Sequence, residues 1–263
     1  MDSRPEPPRV TIGDPPGPID RLYYETTGYF EGGGRHLLDP ESTFQRYRIR
    51  EVLRLCGPHS GDRVVDLGCG WGTLAFVLAR TAARVVGVDF AAAALEFCRR
   101  RLAAGPVRSL GTGLGPNIGP RPDFIQADAG NTGLRGGSWD LVVAADLVEH
   151  LYPNDTRRVY EEARRLLRPG GRLVVWTPNP GHLLERLRAL HILRPDPTHV
   201  DYKTLNRVIR ELREVGFTIE VAEYVPSHLP FLRTVERWSQ GFVPVLRRRV
   251  GVVGVRSNGG RSG

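Results

Sequence analysis

Lysine is almost missing from this chain. Lys203 is the only one, and the rest of its 37 Lys and Arg residues are arginine. Methionine occurs once. The three cysteines, Cys56, Cys69 and Cys98, are too few and too scattered for a disulfide framework. No Cys-x-x-Cys occurs, which removes the usual structural zinc site. No run approaches the roughly 18 consecutive apolar residues of a membrane span. The first residues, Met1-Asp2-Ser3-Arg4-Pro5-Glu6-Pro7-Pro8-Arg9, lack the apolar centre of a secretory signal, so the expected location is cytoplasmic.

What is present is a chain of 263 residues with 40% hydrophobic and 25% charged side chains. That balance fits a globular protein with a real core and argues against a fibre or wholesale disorder. At roughly 100–200 residues per domain, the length suits one large domain or two small ones. The formal net charge is +8. Such a charge suits a polyanionic partner, nucleic acid or anionic lipid. Genomic composition bias explains it as well, since Gly (31) and Pro (21) are also abundant. The arginines are spread along the chain rather than clustered.

Residues 1–20 are rich in Pro and Gly and read as a tail. Residues 20–25 begin a short helix, Gly32-Gly33-Gly34 is a turn, and 45–56 is an amphipathic helix ending at Gly57-Pro58. Together residues 21–60 form an expected helical cap. Strand and helix then alternate. Strands are expected at 63–67, 84–89, 123–128, 139–145 and 172–176. Helices are expected at 73–81, 91–104 and 154–167, the last capped by Asn154. Residues 105–122 are an insertion dense in Gly and Pro. The strands are almost wholly apolar rather than alternating, which marks a parallel sheet covered by helices on both faces. Further helices are expected at 181–193 and 202–215, and 217–225 pairs with 249–256 as an antiparallel ribbon. The expected unit therefore runs over 61–256, with lids at 181–200 and 226–246 and a tail at 257–263.

The sharpest local signal is Val64-Val65-Asp66-Leu67-Gly68-Cys69-Gly70-Trp71-Gly72. A glycine-rich turn between strand and helix brings backbone N–H groups to a ligand, and Gly68 and Gly70 permit tight backbone angles and close approach. Asp89 ends the next strand, at the open edge of the ligand crevice, where a carboxylate accepts both hydroxyls of a ribose. Its alternative role is an N-cap for the following helix. Asp66 sits inside an apolar strand and needs partners: it orients a ligand ammonium or braces the turn. Asp128 reaches an adenine amine or closes a local turn before Gly130.

These stretches together resemble the class I S-adenosylmethionine-dependent methyltransferases. The resemblance rests on Val65–Gly72 read with Val86-Gly87-Val88-Asp89, Gln126-Ala127-Asp128, Asp140-Leu141-Val142-Val143, Leu147-Val148-Glu149-His150 and Leu166-Leu167-Arg168-Pro169-Gly170-Gly171-Arg172-Leu173. It implies a Rossmann-like seven-stranded sheet, mostly parallel, with only the last strand antiparallel. It also implies S-adenosyl-L-methionine as cofactor. By the same resemblance Gly68 and Gly70 hold its amino-acid part, Asp89 the ribose, Asp128 and Ala129 the adenine, and Phe90 packs on the ring. The backbone at Ala145 and Asp146 lines the sulfonium end, and Tyr24 or Tyr23 closes over the carboxylate end from the cap.

The sulfonium already activates the methyl carbon, so the protein mainly orients the partners. A hydroxyl acceptor also needs a base, and His150 is the best placed; a structural role is its alternative. Glu149 and His150 are adjacent and point in different directions, and no third ligand is evident beside them, so no metal is expected. His199 and His36 are weaker site candidates. No Asn/Asp-Pro-Pro-Tyr/Phe follows the fourth strand, and no cysteine is placed as a nucleophile. The expected reaction is therefore O-methylation of a hydrophobic small molecule. Methylation of RNA or protein is the alternative, and a non-catalytic partner subunit is another. The apolar segment 226–246, flanked by arginines, is the expected site of weak membrane contact or of a homodimer. A nucleic-acid partner is less favoured.

Overall fold

The computed structural model describes residues 23–24, 42–104, 120–193, 196, 198–225 and 247–257. The expected tails, His36, most of the 105–122 insertion and the 226–246 segment lie outside these residues.

The apolar runs become strands of one sheet. They are β1 (Arg63–Leu67), β2 (Arg84–Asp89), β3 (Asp123–Gln126), β4 (Trp139–Ala145), β5 (Leu167–Pro178), β6 (Phe217–Val225) and β7 (Arg249–Arg256). Their spatial order is β3-β2-β1-β4-β5-β7-β6. The pairs from β3 through β5 are parallel, and β7 runs antiparallel to both β5 and β6. The Rossmann-like sheet with a single reversed strand is thus the one expected. Strand order reverses between β1 and β4. A crevice therefore opens beyond their carboxyl ends, the usual ligand position in such sheets.

Six α-helices among the described residues cover the sheet: α1 (Thr43–Cys56), α2 (Thr73–Leu78), α3 (Ala92–Ala103), α4 (Pro153–Leu166), α5 (Leu183–Ala189) and α6 (Leu205–Glu214). Strand side chains alternate between two cores. On one face Val64, Val143, Val174, Trp176 and Val253 pack with Tyr47, Val52 and Leu55 of α1 and Leu74 and Leu78 of α2. On the other, Val65, Leu67, Val142, Val175 and Val252 pack with Val159, Tyr160 and Ala163 of α4 and Leu212 of α6.

Cap chemistry moves several expected boundaries. Ser42 accepts the Gln45 N–H through its hydroxyl and starts α1 two residues early, and Gly57 ends it in the left-handed region at φ 46°. Asn154 is not the cap of α4. Pro153 takes the first helical position, where its missing N–H costs nothing, and Tyr152 flanks it. The third strand ends at Gln126, because Asp128 turns back to bridge Asn131. The fifth strand begins at Leu167, since Leu167 pairs with Trp139 before the register shifts. The helix expected over 181–193 shrinks to the seven residues of α5, capped by the His182 ring and ended by His191 at φ 57°.

Gly72, before α2, has φ 71°, and a Cβ there would stand 2.8 Å from Phe124 Cζ and 3.0 Å from Cys98 Sγ. Gly72→Ala should lower unfolding stability by about 2 kcal/mol, from backbone strain and the displaced ring. Urea denaturation reads it; an unchanged midpoint would mean that Phe124 yields freely.

Candidate active site

The turn after β1 passes through three glycines in the left-handed region, Gly68 (φ 66°), Gly70 (φ 51°) and Gly72. Their constraints differ. A Cβ on Gly68 would strike Leu147 Cδ1 at 2.8 Å, while one on Gly70 would meet nothing within 4 Å. Gly68 therefore permits the close packing of the β1 and β4 turns, and Gly70 keeps open space above the loop.

Asp89 joins this loop to β2. Its Oδ2 accepts the Gly70 N–H at 2.8 Å and its Oδ1 accepts the Ala91 N–H at 2.9 Å. The second contact closes a turn rather than capping α3, whose N-cap is Ala91 with no side-chain cap bond, and it uses one lone pair of one oxygen. Each carboxylate oxygen keeps another. Burial raises the Asp89 pKa against the pull of these N–H groups. Asp66 is 2% exposed, and its Oδ2 is buried with no hydrogen-bond partner among the described residues. Burial, helped by the Asp89 charge, pushes its pKa up to about 7; the Arg48 charge and the Ala75 N–H oppose this.

Asp128 is exposed. Its Oδ1 accepts the Gly130 N–H at 2.7 Å and its Oδ2 pairs with Arg158 Nη2 at 2.8 Å. The local turn is thus formed, beside half-buried Ala129. Phe90 follows Asp89, and the Tyr24 ring meets it edge-on at 5.5 Å between centroids.

Tyr24 also reaches the other side of the crevice, with its hydroxyl 3.2 Å from His150 Nδ1. His150 Nδ1 lies 2.9 Å from the Thr198 carbonyl oxygen. A carbonyl only accepts, so Nδ1 carries the proton and donates it, and Nε2 is left with a free lone pair. Burial lowers the His150 pKa, with Arg249 adding to the effect and Asp196, Thr198 and Asp146 opposing it, so the ring is neutral near pH 7.

The sequence placed no third group beside Glu149 and His150, but the fold supplies one. His199 stacks edge-on against His150 at 4.9 Å between centroids. Glu149, His150 and His199 each offer a metal-ligating type of atom within 4.8 Å of the others. Each is also tied to the protein: Glu149 Oε2 accepts the Thr177 hydroxyl at 2.9 Å, and His199 Nδ1 lies 2.9 Å from the Tyr202 hydroxyl. Burial, with the Asp146 charge, pushes the Glu149 pKa up to about 8. Burial and neighbouring His150 bring His199 down to about 4.

Two arginines that the sequence does not mark out complete the edge. Ala145 ends β4, and Asp146 follows it at φ 54°, in the left-handed region. Arg48 Nε of α1 lies 2.5 Å from Asp146 Oδ2, and Arg249 Nη1 of β7 lies 2.6 Å from Oδ1. Arg48 Nη2 also donates to the Ala145 carbonyl at 3.3 Å. These guanidiniums, Arg249 foremost, hold the Asp146 pKa below the usual carboxylate range despite burial. An arginine opening the otherwise apolar run Val250-Gly251-Val252-Val253 is the one sequence signal for Arg249. A groove of about 600 Å³ lined by Pro153, Arg157, Tyr160, Arg207, Arg210 and Glu211 lies between α4 and α6, and none of the expected site residues lines it.

A family model described as a methyltransferase domain matches residues 65–175. The chain is 30% identical over 197 residues to a ubiquinone biosynthesis O-methyltransferase of Cupriavidus pinatubonensis (strain JMP 134 / LMG 1197), covering 70% of this chain and 73% of that protein. The chain belongs to the class I S-adenosylmethionine-dependent methyltransferases. It is also 28% identical over 167 residues to a demethylmenaquinone methyltransferase of Clavibacter sepedonicus; the match covers 64% of this chain and 60% of that relative's length. The fold is shared with magnesium protoporphyrin IX methyltransferase of Synechocystis PCC 6803, solved with bound SAH. The TM-score is 0.63 at 20% identity, over 90% of this chain and 98% of that one. This methyltransferase is thus an enzyme that uses S-adenosyl-L-methionine.

The buried carboxyls of the methyltransferase carry a pH signature. The Asp66 pKa rises from 3.8 to about 7 on folding. The folded state therefore holds the extra proton, and the contribution of Asp66 to stability, full below about pH 4, is lost as pH rises through about 7. Asp66→Asn should gain stability relative to wild type across that window. The full gain is of order 4 kcal/mol, since each tenfold change in proton affinity is worth about 1.4 kcal/mol. Thermal unfolding of both proteins without cofactor, from pH 4 to 8, measures it. A pH-independent difference would show that Asp66 stays ionised.

Proposed function

We infer that this methyltransferase transfers the methyl group to a hydroxyl of a small hydrophobic acceptor, with His150 as the base. The observation that carries the reading is the hydrogen bond from His150 Nδ1 to the Thr198 carbonyl, which leaves Nε2 unprotonated on a neutral ring at the crevice edge. The relatives' names favour a small hydrophobic acceptor of the quinone type: one is an O-methyltransferase of ubiquinone biosynthesis and one a demethylmenaquinone methyltransferase, and the first of these names oxygen.

The residues at the β1–β2 edge fit the cofactor. Asp66 offers a buried oxygen without a partner, suited to an ammonium, and Gly70 has open space where any side chain would sit. Asp89 takes the ribose through its remaining lone pairs, and Gly68 holds the loop against β4. Phe90 packs at the purine side, with Asp128 and Ala129 at the amine, and Tyr24 closes over the cofactor from between Phe90 and His150. The Ala145 backbone faces the methyl group. The bound cofactor supplies a methyl carbon activated by a positively charged sulfur. The protein's part is to position the acceptor oxygen and to receive its proton on His150 Nε2. His199 packs edge-on against that ring.

Many of the arginines that suggested a polyanionic partner are held in ion pairs within the chain. Arg48 and Arg249 grip Asp146, Arg158 grips Asp128, Arg165 grips Glu162, and Arg207 grips Asp201. This favours a small molecule over RNA. The intact Gly68–Asp89 arrangement favours catalysis over a non-catalytic subunit.

A second observation supports weak contact with a lipid surface. The large hydrophobics that remain exposed include Leu183, Leu184, Leu190, Ile192 and Leu193, clustered on and just after α5, which buries none of its residues. Arg186 and Arg188 lie among them. Co-sedimentation with vesicles containing anionic lipid should fall when Leu190→Ser and Ile192→Ser are combined. If the variant instead changes only the size of the protein in solution, this face joins two copies.

Radiolabelled cofactor in an extract of the source organism should deliver its methyl to the organic-soluble fraction; label in RNA or protein would overturn the acceptor class. His150→Ala should cut kcat by about 10²–10⁴-fold with cofactor affinity unchanged, the usual range for a lost base. Asp89→Ala should instead weaken cofactor binding in calorimetry. Activity that vanishes with a chelator and returns with a divalent ion would replace the base by a metal.

A further inference from the structure

The acceptor side of the crevice holds N–H donors with nothing to bind. Arg249 gives Nη1 to Asp146, but its Nε is buried and has no hydrogen-bond partner among the described residues. Trp176 is fully buried, and its Nε1 is likewise unpartnered. The two share one face and one end of the sheet. Pro178 of β5 stands opposite Arg249, and Trp176 stands opposite Gly251, two residues further along β7. Side chains at alternate positions share a face, and such diagonal neighbours lie within reach of one ligand. A buried donor on a charged group is costly to leave unmet, so a site with two of them side by side is shaped for an acceptor oxygen.

The charges around Arg249 point the same way. Its guanidinium is flanked by α1, where the Phe44 ring lies 5.3 Å below it. Asp146 is a single carboxylate shared between Arg249 and Arg48. Two fixed positive charges thus face one fixed negative charge. Also within reach of the Arg249 charge are Glu149, His150, His182 and His199. All four are uncharged near neutral pH, the carboxyl because its pKa is raised and the three rings because theirs are lowered. Arg248 stands beside them, with its guanidinium carbon 5.4 Å from the centroid of the same Phe44 ring, and adds positive charge there. The pocket is short of negative charge.

We propose that Arg249 is an acceptor-binding residue whose Nε–H receives the acceptor oxygen as an anion, and that the acceptor is therefore an ionisable hydroxyl, a phenol or an enol rather than an alkanol. The step balances simply. The O–H bond breaks, the proton goes to His150 Nε2, and the electron pair stays on the oxygen, where Arg249 and, beside it, Trp176 donate hydrogen bonds. This rests on the reading of His150 as the base, but it assigns a different atom and a different task.

The test uses 4-nitrophenol, whose phenolate absorbs in the visible, with the whole chain and S-adenosylhomocysteine bound. In the wild type the phenolate should persist about one pH unit below its free-solution range, a roughly tenfold preference for the anion. Arg249→Met should abolish that preference. Arg249→Lys leaves Asp146 a cation but has no donor at the Nε position. It should lose at least half of the displacement in pH and raise the acceptor KM roughly tenfold, with S-adenosylhomocysteine affinity unchanged. His150→Ala should keep the preference for the anion. No preference in the wild type, or the same preference in Arg249→Lys as in the wild type, overturns the proposal. A His150→Ala enzyme with full turnover would sink the base and leave the Arg249 result standing. If Arg249→Met does not fold, the lysine variant decides alone.

Discussion

Asp146 is the point on which this edge of the sheet turns. A non-glycine residue at φ 54° is strained, and a half-buried carboxylate is costly. Both costs are met by two guanidiniums, one from α1 and one from β7. The left-handed step at Asp146 lets the chain leave β4 sharply, sets Leu147 against Gly68 and begins the one-turn 3-10 helix Val148–His150. The same carboxylate pins an early helix and the last strand to the centre of the sheet. Removing either arginine would leave the half-buried Asp146 carboxylate with one cation instead of two. Lysine could not do this as well. The planar guanidinium of Arg48 meets the Asp146 carboxylate and the Ala145 carbonyl together, which a single ammonium on a flexible stem holds less firmly.

Three carboxyls a short distance apart behave differently for reasons the geometry supplies. Asp146 is ionised because two cations hold it. Asp66 and Glu149 are pushed toward the neutral form because burial outweighs their few donors and because nearby carboxylates repel them. Environments that push like groups apart are how one site keeps an anion, an acid and a base together at one pH. Here the anion is structural, and the groups free to change protonation stand on either side of it.

The strands were legible because a sheet covered on both faces needs nearly continuous apolar runs, and Val64-Val65, Val85-Val86, Leu141-Val142-Val143 and Leu173-Val174-Val175 have no other use. Asp66 and Asp89 stood out as polar residues within and at the end of such runs. Ends were harder, since a hydroxyl at Ser42, a proline at 153 or a left-handed His191 moves a boundary by several residues with little change in hydrophobic pattern. The contacts that shape the site were not legible at all. Arg48 and Arg249 lie 98 and 103 residues from Asp146, Thr198 lies 48 from His150, and in a chain whose cations are nearly all arginine no single arginine is marked out.

The unpaired polar atoms divide the crevice in two. On the β1 side the unmet atom is an acceptor, Asp66 Oδ2. On the β5–β7 side the unmet atoms are donors, Arg249 Nε and Trp176 Nε1. All three side chains stand on the sheet face covered by α1. A fold tolerates a few such atoms, and they are informative when they sort by sign. An unmet acceptor calls for a cation and unmet donors call for an anion. The proposed methyl transfer to an oxygen would bring both: a cofactor with an ammonium and a sulfonium, and an acceptor that becomes more anionic as it loses its proton. On that proposal the proton goes to His150 Nε2, and a neutral histidine adds no further negative charge there, as a carboxylate would.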